Sequence, residues 1–490
     1  MDDNFVGRAQ ELALLDRLWG ADKAHFLVVY GRRRVGKTRL ITHWIRKTGC
    51  RALYWMADPD SADAHLRQFS KAVYNFTSPA QPAPEEFTYA TWDQAWAQVV
   101  ELSKSGRIGV FLDEFTYLME ADPGIAGRLQ RIWDHELERA NVLLCLSGSH
   151  LGMMQRGVLA YQAPLYGRAS AALHLPPLAF GHTGAYFPRY SASDRVTLYA
   201  VFGGIPYYWR LIDQAGSISK NIREILLTPG GLVESEARLL LQDFLSDIHN
   251  YVSILRAIAH GRNTPKDIET FTGIANVHVA QYLKILGETG YVARYQPVTS
   301  QRQTRLGRYF VTDPFLRFYF RFLASRKSQI SMGETEQAWR ELKKHMSDFI
   351  GQYTWEELCR EWTLRAANRN ILPLYPDQVE SAWTREAQVD VVGINSMEGH
   401  LVLGECKWTA GRGKADTLRE LVEKKAPKFI PAQQKWQVFY LGFSRSGWNE
   451  QAQAYAAQIN DQQPAGENWE CVGMRLVDLE QVDGDLCAWA

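Results

Sequence analysis

Over the first 180 residues, short unbroken apolar runs alternate with stretches of helical periodicity. The run around Phe26 (His-Phe-Leu-Val-Val-Tyr) predicts a buried strand, and Arg39 to Lys47 predicts a helix behind it. Further buried strands are expected at Ile108 to Leu112 and Val142 to Leu146. Apolar runs of this length separated by helices imply a parallel sheet covered on both faces. The Pro-rich stretch 79–86 reads as a surface excursion. After Pro176-Pro177 the pattern becomes helical, punctuated by Gly203-Gly204-Ile205-Pro206. From His249 three short helices (Tyr251 to His260, one opened by Thr264, and Ala275 to Leu286) precede a hairpin from Gly290 returning at Arg308 to Val311. That is the outline of a winged helix-turn-helix. Asp313-Pro314 interrupts the chain before an aromatic helix, Phe315 to Phe322. The last third begins with an amphipathic helix near Met346. Extended segments follow at Val389 to Val392 and Leu401 to Gly404, then a helix over Leu418 to Lys425 and a strand over Trp436 to Leu441.

One motif carries decisive chemistry. Gly31-Arg32-Arg33-Arg34-Val35-Gly36-Lys37-Thr38 has P-loop spacing, with a strand before it and a helix, from Arg39, after it. Its glycines let backbone N–H groups and the helix N-terminus wrap phosphate oxygens. Lys37 would reach the β- and γ-phosphates of ATP, and Thr38 would coordinate Mg²⁺. Asp113-Glu114 closes the second apolar strand. Beside a P-loop, Asp113 would hold Mg²⁺ through water and Glu114 would polarise the attacking water. Ser149, ending the next strand, reads either as a γ-phosphate sensor or as a helix N-cap.

With Phe5-Val6-Gly7-Arg8-x-x-Glu11-Leu12, these segments resemble the archaeal-type ATPases, a family related to the signal-transducing ATPases with numerous domains. Pro164-Leu-Tyr-Gly167-Arg168, Leu175-Pro-Pro-Leu178 and Gly203-Gly-Ile-Pro206 fit the same pattern. The resemblance implies that Phe5, Val6, Gly7, Arg8 and Pro206 flank the nucleotide base. It makes Arg168 a candidate arginine finger or γ-phosphate sensor.

The helix Ala275 to Leu286 occupies the recognition position. Asn276, His278, Gln281 and Lys284 would face a groove, while Val279, Tyr282 and Leu283 pack inward. His249 to Val311 holds eight Lys/Arg against three Asp/Glu. Arg302, Arg305 and Arg308 fall in the wing, and Arg317, Arg321, Arg326 and Lys327 extend the bias toward a phosphate-contacting face. A protein-binding role for this module stays open.

Near the C-terminus, Asp390 closes one predicted strand and Glu405-Cys406-Lys407 the next. A hairpin would set the carboxylates side by side, with Lys407 on the face of Glu405. Such a pair can hold Mg²⁺, and Lys407 could position or deprotonate a water. With Gly351-Gln-Tyr-Thr-Trp355-Glu356, these residues resemble the PD-(D/E)xK nuclease core. The resemblance makes Glu356 an auxiliary metal ligand, with Glu357 as its competitor.

Composition refines this picture. The 490 residues carry 55 Lys/Arg and 54 Asp/Glu, a net charge of +1. The average conceals opposed halves. Residues 346–490 hold 14 basic and 21 acidic side chains, so the preceding portion carries the DNA grip. A basic edge from Arg412, Lys414, Lys424, Lys425 and Lys428 could assist. Six scattered cysteines without metal-ligand spacing, no membrane-length apolar run and an opening unlike a signal peptide lead us to expect a cytoplasmic protein. Trp44, Trp133, Trp209 and Trp362 are expected in cores. The fold class expected is multidomain α/β: a P-loop ATPase (1–180), a helical lid (181–247), a winged helix with linker helix (248–330) and a nuclease-like domain (345–490). The function expected is an ATP-hydrolysing switch controlling a Mg²⁺-dependent DNA endonuclease, with homo-oligomerisation left open. The alternative is an ATP-controlled DNA- or protein-binding regulator with an inactive nuclease fold.

Overall fold

The computed structural model describes residues 5–231, 236–237, 240–241, 248–299 and 306–490. Arg302 and Arg305 of the expected wing, and the residue 247 boundary of the expected lid, lie outside the described residues. The chain forms two compact units. One comprises Gly7–Leu178 with Ile205–Arg210, and the remainder of the described chain forms the other.

In the first unit β1 (His25–Tyr30), β2 (Ala52–Met56), β3 (Ile108–Asp113), β4 (Val142–Gly148) and β5 (Ala171–His174) make one parallel sheet, ordered β2-β3-β4-β1-β5. The inner strands β1, β3 and β4 are buried almost throughout, which is why they read as unbroken apolar runs. The edge strands β2 and β5 alternate instead. Trp44 and Trp133 are buried in this unit, and the Trp44 Nε1 donates to Asp16 Oδ1 at 2.7 Å. Three strands end at one edge of the sheet. Consequently the loop after β1, Asp113 at the end of β3 and Ser149 just past β4 converge.

The segment Ile205–Arg210, placed by the sequence within a helical lid, packs with this first unit. Its aromatic side chains explain the difference. The Arg34 guanidinium lies 4.1 Å from the Tyr207 ring centroid, and Arg32 Nη2 donates to the Tyr208 hydroxyl at 3.2 Å.

The second unit contains a three-helix module with helices Ile248–Ala259, Pro265–Thr272 and Asn276–Glu288, followed by an antiparallel ribbon, β6 (Val292–Tyr295) with β7 (Arg308–Val311). Thr264 caps the second helix by accepting from the Asp267 N–H. Its mixed sheet has the order β12-β11-β10-β9-β8, built from β8 (Gln378–Trp383), β9 (Gln388–Asn395), β10 (His400–Lys407), β11 (Trp436–Ser444) and β12 (Trp469–Asp478). β9 and β10 are antiparallel neighbours paired Val391 to Gly404, while β10, β11 and β12 run parallel. Trp355 and Trp362 are fully buried beside this sheet. The helix Ala192–Phe202 joins the C-terminal helix Leu479–Ala488 through a bidentate pair of Arg195 with Asp483, Nε donating to Oδ1 at 2.9 Å. Among the described residues, no helix is long and apolar enough to cross a membrane.

Candidate functional sites

The P-loop is shaped by close backbone approach. A Cβ on Gly31 would stand 2.4 Å from the Leu175 carbonyl oxygen, and Gly36 adopts φ 97° at the N-cap of the helix Lys37–Thr48. Arg34 holds a left-handed φ of 69° without that freedom, a strain of the kind found at functional loops. Val35 is buried, and its carbonyl accepts from Arg8 Nη2, which also reaches the Pro176 carbonyl. Arg8 itself pairs with Glu11. Gly7 and Arg8 thus stand with the P-loop, whereas Phe5 and Val6 group with the second unit. Pro206 comes within ordinary contact of the Gly36 position.

The polar groups form a connected cluster. Lys37 is buried, and its Nζ donates to the Gly31 and Arg32 carbonyls at 3.0 and 3.3 Å. Thr38 Oγ1 donates to Asp113 Oδ2 at 2.6 Å, and the Tyr54 hydroxyl donates to the same oxygen at 2.8 Å. Burial and the Asp113 charge raise the Tyr54 phenol, which keeps it a donor. Glu114 turns away from the strand at φ 53°, and its Oε2 accepts from both Ser149 Oγ (2.7 Å) and Ser149 N–H. Arg33 donates to the Tyr117 hydroxyl. Arg39 occupies the third position of the P-loop helix.

Tyr54 was not legible in sequence, because β2 carries no motif. The Ser149 hydroxyl holds Glu114, and the N-cap of the helix that follows is His150, which accepts from the Met153 N–H. Arg168 pairs with Asp134 in a bidentate contact and donates to its own loop at Tyr166, so its contacts are not with the P-loop.

The second cluster lies on the adjacent ends of β9 and β10. The register sets Glu405 beside Asp390, and the Cys406 N–H donates to Asp390 Oδ2 at 3.0 Å. Both carboxylates are buried. Lys407 Nζ donates to Glu405 Oε1 at 2.9 Å, and Lys425 Nζ contacts both Glu405 oxygens at 2.9 and 2.8 Å. Lys425, expected on a basic edge, therefore belongs to the cluster, whereas Arg412, Lys414, Lys424 and Lys428 are exposed. Burial opposes charge on Lys407, but Glu405 and Asp390 prevail and raise it. It stays protonated, which suits positioning rather than deprotonating a water.

Glu356 and Glu357 separate clearly. Glu357 is held by Arg317 Nη2 at 2.8 Å. Glu356 pairs loosely with Arg360, whose Nη1 donates to the Asp390 carbonyl at 2.9 Å. Burial, then the Asp390 charge, pushes the Glu356 carboxyl well above the usual range. Among the described residues, no group of three or more His, Cys, Asp and Glu side chains forms a metal cage. A carboxylate pair still fits Mg²⁺, which keeps most of its waters and takes one or two carboxylates.

Burial, then the charge of Glu405, raises Asp390 to about 6, against the opposing pull of the Cys406 N–H and both lysines. Asp390 thus binds its proton more readily folded than unfolded. Its contribution favours the fold below about pH 4 and is lost as pH rises through about pH 6. In chelator-treated protein, Asp390→Asn should therefore raise the urea midpoint more near about pH 8 than near about pH 5. An equal shift at both pH values would contradict this assignment.

Within the three-helix module, Asn276, His278, Gln281 and Lys284 are exposed on the third helix, while Val279 and Leu283 are buried and Tyr282 is half-buried. Arg317 departs from expectation. It is buried and serves Glu357 and the Val311 carbonyl, so it offers no phosphate-facing charge. Arg308 is also engaged, with Gln388 and the Trp383 ring.

Comparisons with known proteins bear on two stretches of the chain. Residues 5–211 match an ATPase domain family described as predominantly from Archaea, and residues 319–424 match a family described as archaeal and bacterial proteins of unknown function. A protein of Methanocaldococcus jannaschii is 28% identical over 406 residues, covering 82% of this chain and 87% of the relative. An ATP-binding protein of the same organism is 51% identical over 41 residues, 8% of this chain and 70% of the relative. Among solved structures, a Walker-type ATPase of Pyrococcus abyssi superposes with TM-score 0.49 at 17% identity, covering 65% of this chain and 96% of that one. The Aeropyrum pernix ORC2 protein gives TM-score 0.40 at 14% identity, covering 68% and 98%. The chain carries an archaeal-type P-loop ATPase domain followed by a separate C-terminal domain with a mixed sheet.

Proposed function

We propose that this archaeal-type ATPase is a nucleotide-driven switch whose C-terminal domain cleaves DNA in a Mg²⁺-dependent reaction. One observation carries the reading: Asp390, Glu405 and Lys407 share one strand-end cluster on a chain that also holds a complete P-loop cluster. At the P-loop, Lys37 and the backbone of residues 31–39 bind the phosphates. Thr38 and Asp113 hold the Mg²⁺ position, with Tyr54 fixing the Asp113 carboxylate. Glu114 orients the attacking water, and Ser149 holds Glu114 until nucleotide draws it away. Arg168 would act as a finger only after leaving Asp134, in this chain or toward a second copy.

In the C-terminal domain, Asp390 and Glu405 supply the metal-facing oxygens and Glu356 an auxiliary one. The metal, when bound, stabilises charge on the scissile phosphate as a Lewis acid. Lys407 positions the attacking water, and Lys425 holds both Glu405 oxygens in place. The three-helix module is read as a winged helix that grips duplex DNA through Asn276, His278, Gln281 and Lys284.

A second reading draws on a specific observation. Both Glu405 oxygens already carry ammonium partners, which suits a nuclease fold that binds without cutting. Plasmid cleavage by wild type and Asp390→Ala, with Mg²⁺ or with chelator, separates the two. We expect Mg²⁺-dependent cleavage that Asp390→Ala reduces by about 10²-fold or more. Cleavage untouched by Asp390→Ala, or none under any nucleotide condition, would refute the nuclease reading.

A further inference from the structure

Lys407 and Glu356 belong to different elements, yet one aromatic contact stands behind both. Trp408 directly follows Lys407, and Trp355 directly precedes Glu356. Both rings are buried, with centroids 5.3 Å apart and planes tilted by 49°. Trp408 has no slack on its backbone side, since a Cβ on Gly351 would stand 3.0 Å from its own Cβ. Packing this close transmits a displacement instead of absorbing it. A shift of the Trp408 indole therefore reaches the cluster through both neighbours.

Arg445 holds this ring from β11. Its backbone N–H donates to the Lys407 carbonyl at 2.9 Å, which pins the end of β10. Its guanidinium lies 4.8 Å from the Trp408 ring centroid, and Nη2 donates to Ser193 Oγ at 3.0 Å. Ser193 belongs to the helix Ala192–Phe202. That helix runs through Gly203-Gly204 into Ile205–Arg210, where Pro206 comes within 3.9 Å of a Cβ built on Gly36 of the P-loop. Gly203 adopts φ 59°, and a Cβ there would stand 3.2 Å from Pro314, so the junction is a packed turn and not a slack tether.

We propose that the Ser193–Arg445 contact relays nucleotide state to the carboxylate cluster, with Arg445 as a positioning residue that acts through Trp408 on Lys407 and Glu356. The inference deepens the proposed switch and rests on it for movement at Ile205–Arg210. On the helix Ala192–Phe202 the buried Arg195–Asp483 pair is the fixed anchor. The Ser193–Arg445 bond is the changeable one: both partners are half-buried, so water can replace it when the helix shifts. A hydrogen bond with a full charge on one partner is strong enough to bias a two-state equilibrium by about fivefold or more. With the bond made, the guanidinium is held over the Trp408 ring; with it broken, that side of the ring is released.

The test is hydrogen–deuterium exchange of the full-length chain, read by mass spectrometry on the peptide 400–412 with saturating ADP or a non-hydrolysable ATP analogue. We expect exchange to differ by about fivefold or more between the two nucleotides in wild type and in Ser193→Thr, which keeps the hydroxyl. Ser193→Ala and Arg445→Met each lose the contact and should reduce that difference to under about twofold. Mg²⁺-dependent cleavage by Ser193→Ala should persist and run at one rate with ATP and with ADP. Equal exchange in wild type with both nucleotides, or a difference that survives in Ser193→Ala and Arg445→Met, would overturn the relay. An exchange difference that follows the hydroxyl in a protein that never cleaves would remove the nuclease reading and leave the relay standing. Nucleotide-dependent cleavage without an exchange difference would do the reverse.

Discussion

Lys37→Met is expected to lower ATP hydrolysis by roughly 10²- to 10³-fold and to weaken ATP binding. The ammonium is buried and already bonded to two carbonyls of its own loop. Its position is therefore set before nucleotide arrives, and little side-chain entropy remains to be lost on binding. Methionine keeps the length and apolar stem but brings no charge to the β- and γ-phosphates. Because the loop geometry rests on Gly31, Gly36 and the Arg8 contacts, the fold should survive. Steady-state phosphate release and a thermal melt on the same preparation check both halves. Near wild-type turnover in a folded Lys37→Met protein would contradict the site.

Asp483→Ala is expected to destabilise the second unit by about 3–5 kcal/mol. Asp483 is buried, and its removal leaves the Arg195 guanidinium sequestered without its bidentate partner. The cost is therefore that of an uncompensated buried charge, larger than the net worth of the pair. Urea unfolding followed by tryptophan fluorescence measures it. A change under about 1 kcal/mol would mean that Arg195 finds solvent or another acceptor. The double replacement Arg195→Met, Asp483→Leu should recover most of the loss. The location gives the pair a further meaning. The helix Ala192–Phe202 leads into Ile205–Arg210, the stretch that groups with the ATPase unit. Asp483 thus anchors the element through which the proposed switch would act.

Much of this was legible because burial leaves a mark on composition. β1, β3, β4, β9, β10 and β11 are inner strands, and each reads as an apolar run. The strands that escape the sequence, β2, β5, β8 and β12, all lie at sheet edges. Edge strands are half solvated and lose that continuity. The motif residues Lys37, Thr38, Asp113, Asp390, Glu405 and Lys407 are legible through spacing along one or two adjacent elements. Their supporting partners are not. Tyr54 meets Asp113 across 59 residues, Ser149 meets Glu114 across 35, and Lys425 meets Glu405 across 20. Such contacts are created by packing and have no period to read. Arg317 misled for the same reason, since a charge count cannot show that an arginine turns inward to Glu357.

In the proposed switch, nucleotide state governs the C-terminal site. The most direct measurement is the Mg²⁺-dependent DNA cleavage rate with ATP, with ADP and without nucleotide, in wild type and in Glu114→Gln. That variant should bind ATP and lose the water-orienting carboxylate. Cleavage rates should differ between ATP and ADP in wild type, with Glu114→Gln fixed at the ATP-bound rate whenever ATP is present. Cleavage that proceeds at one rate in every nucleotide state, in both proteins, would contradict it.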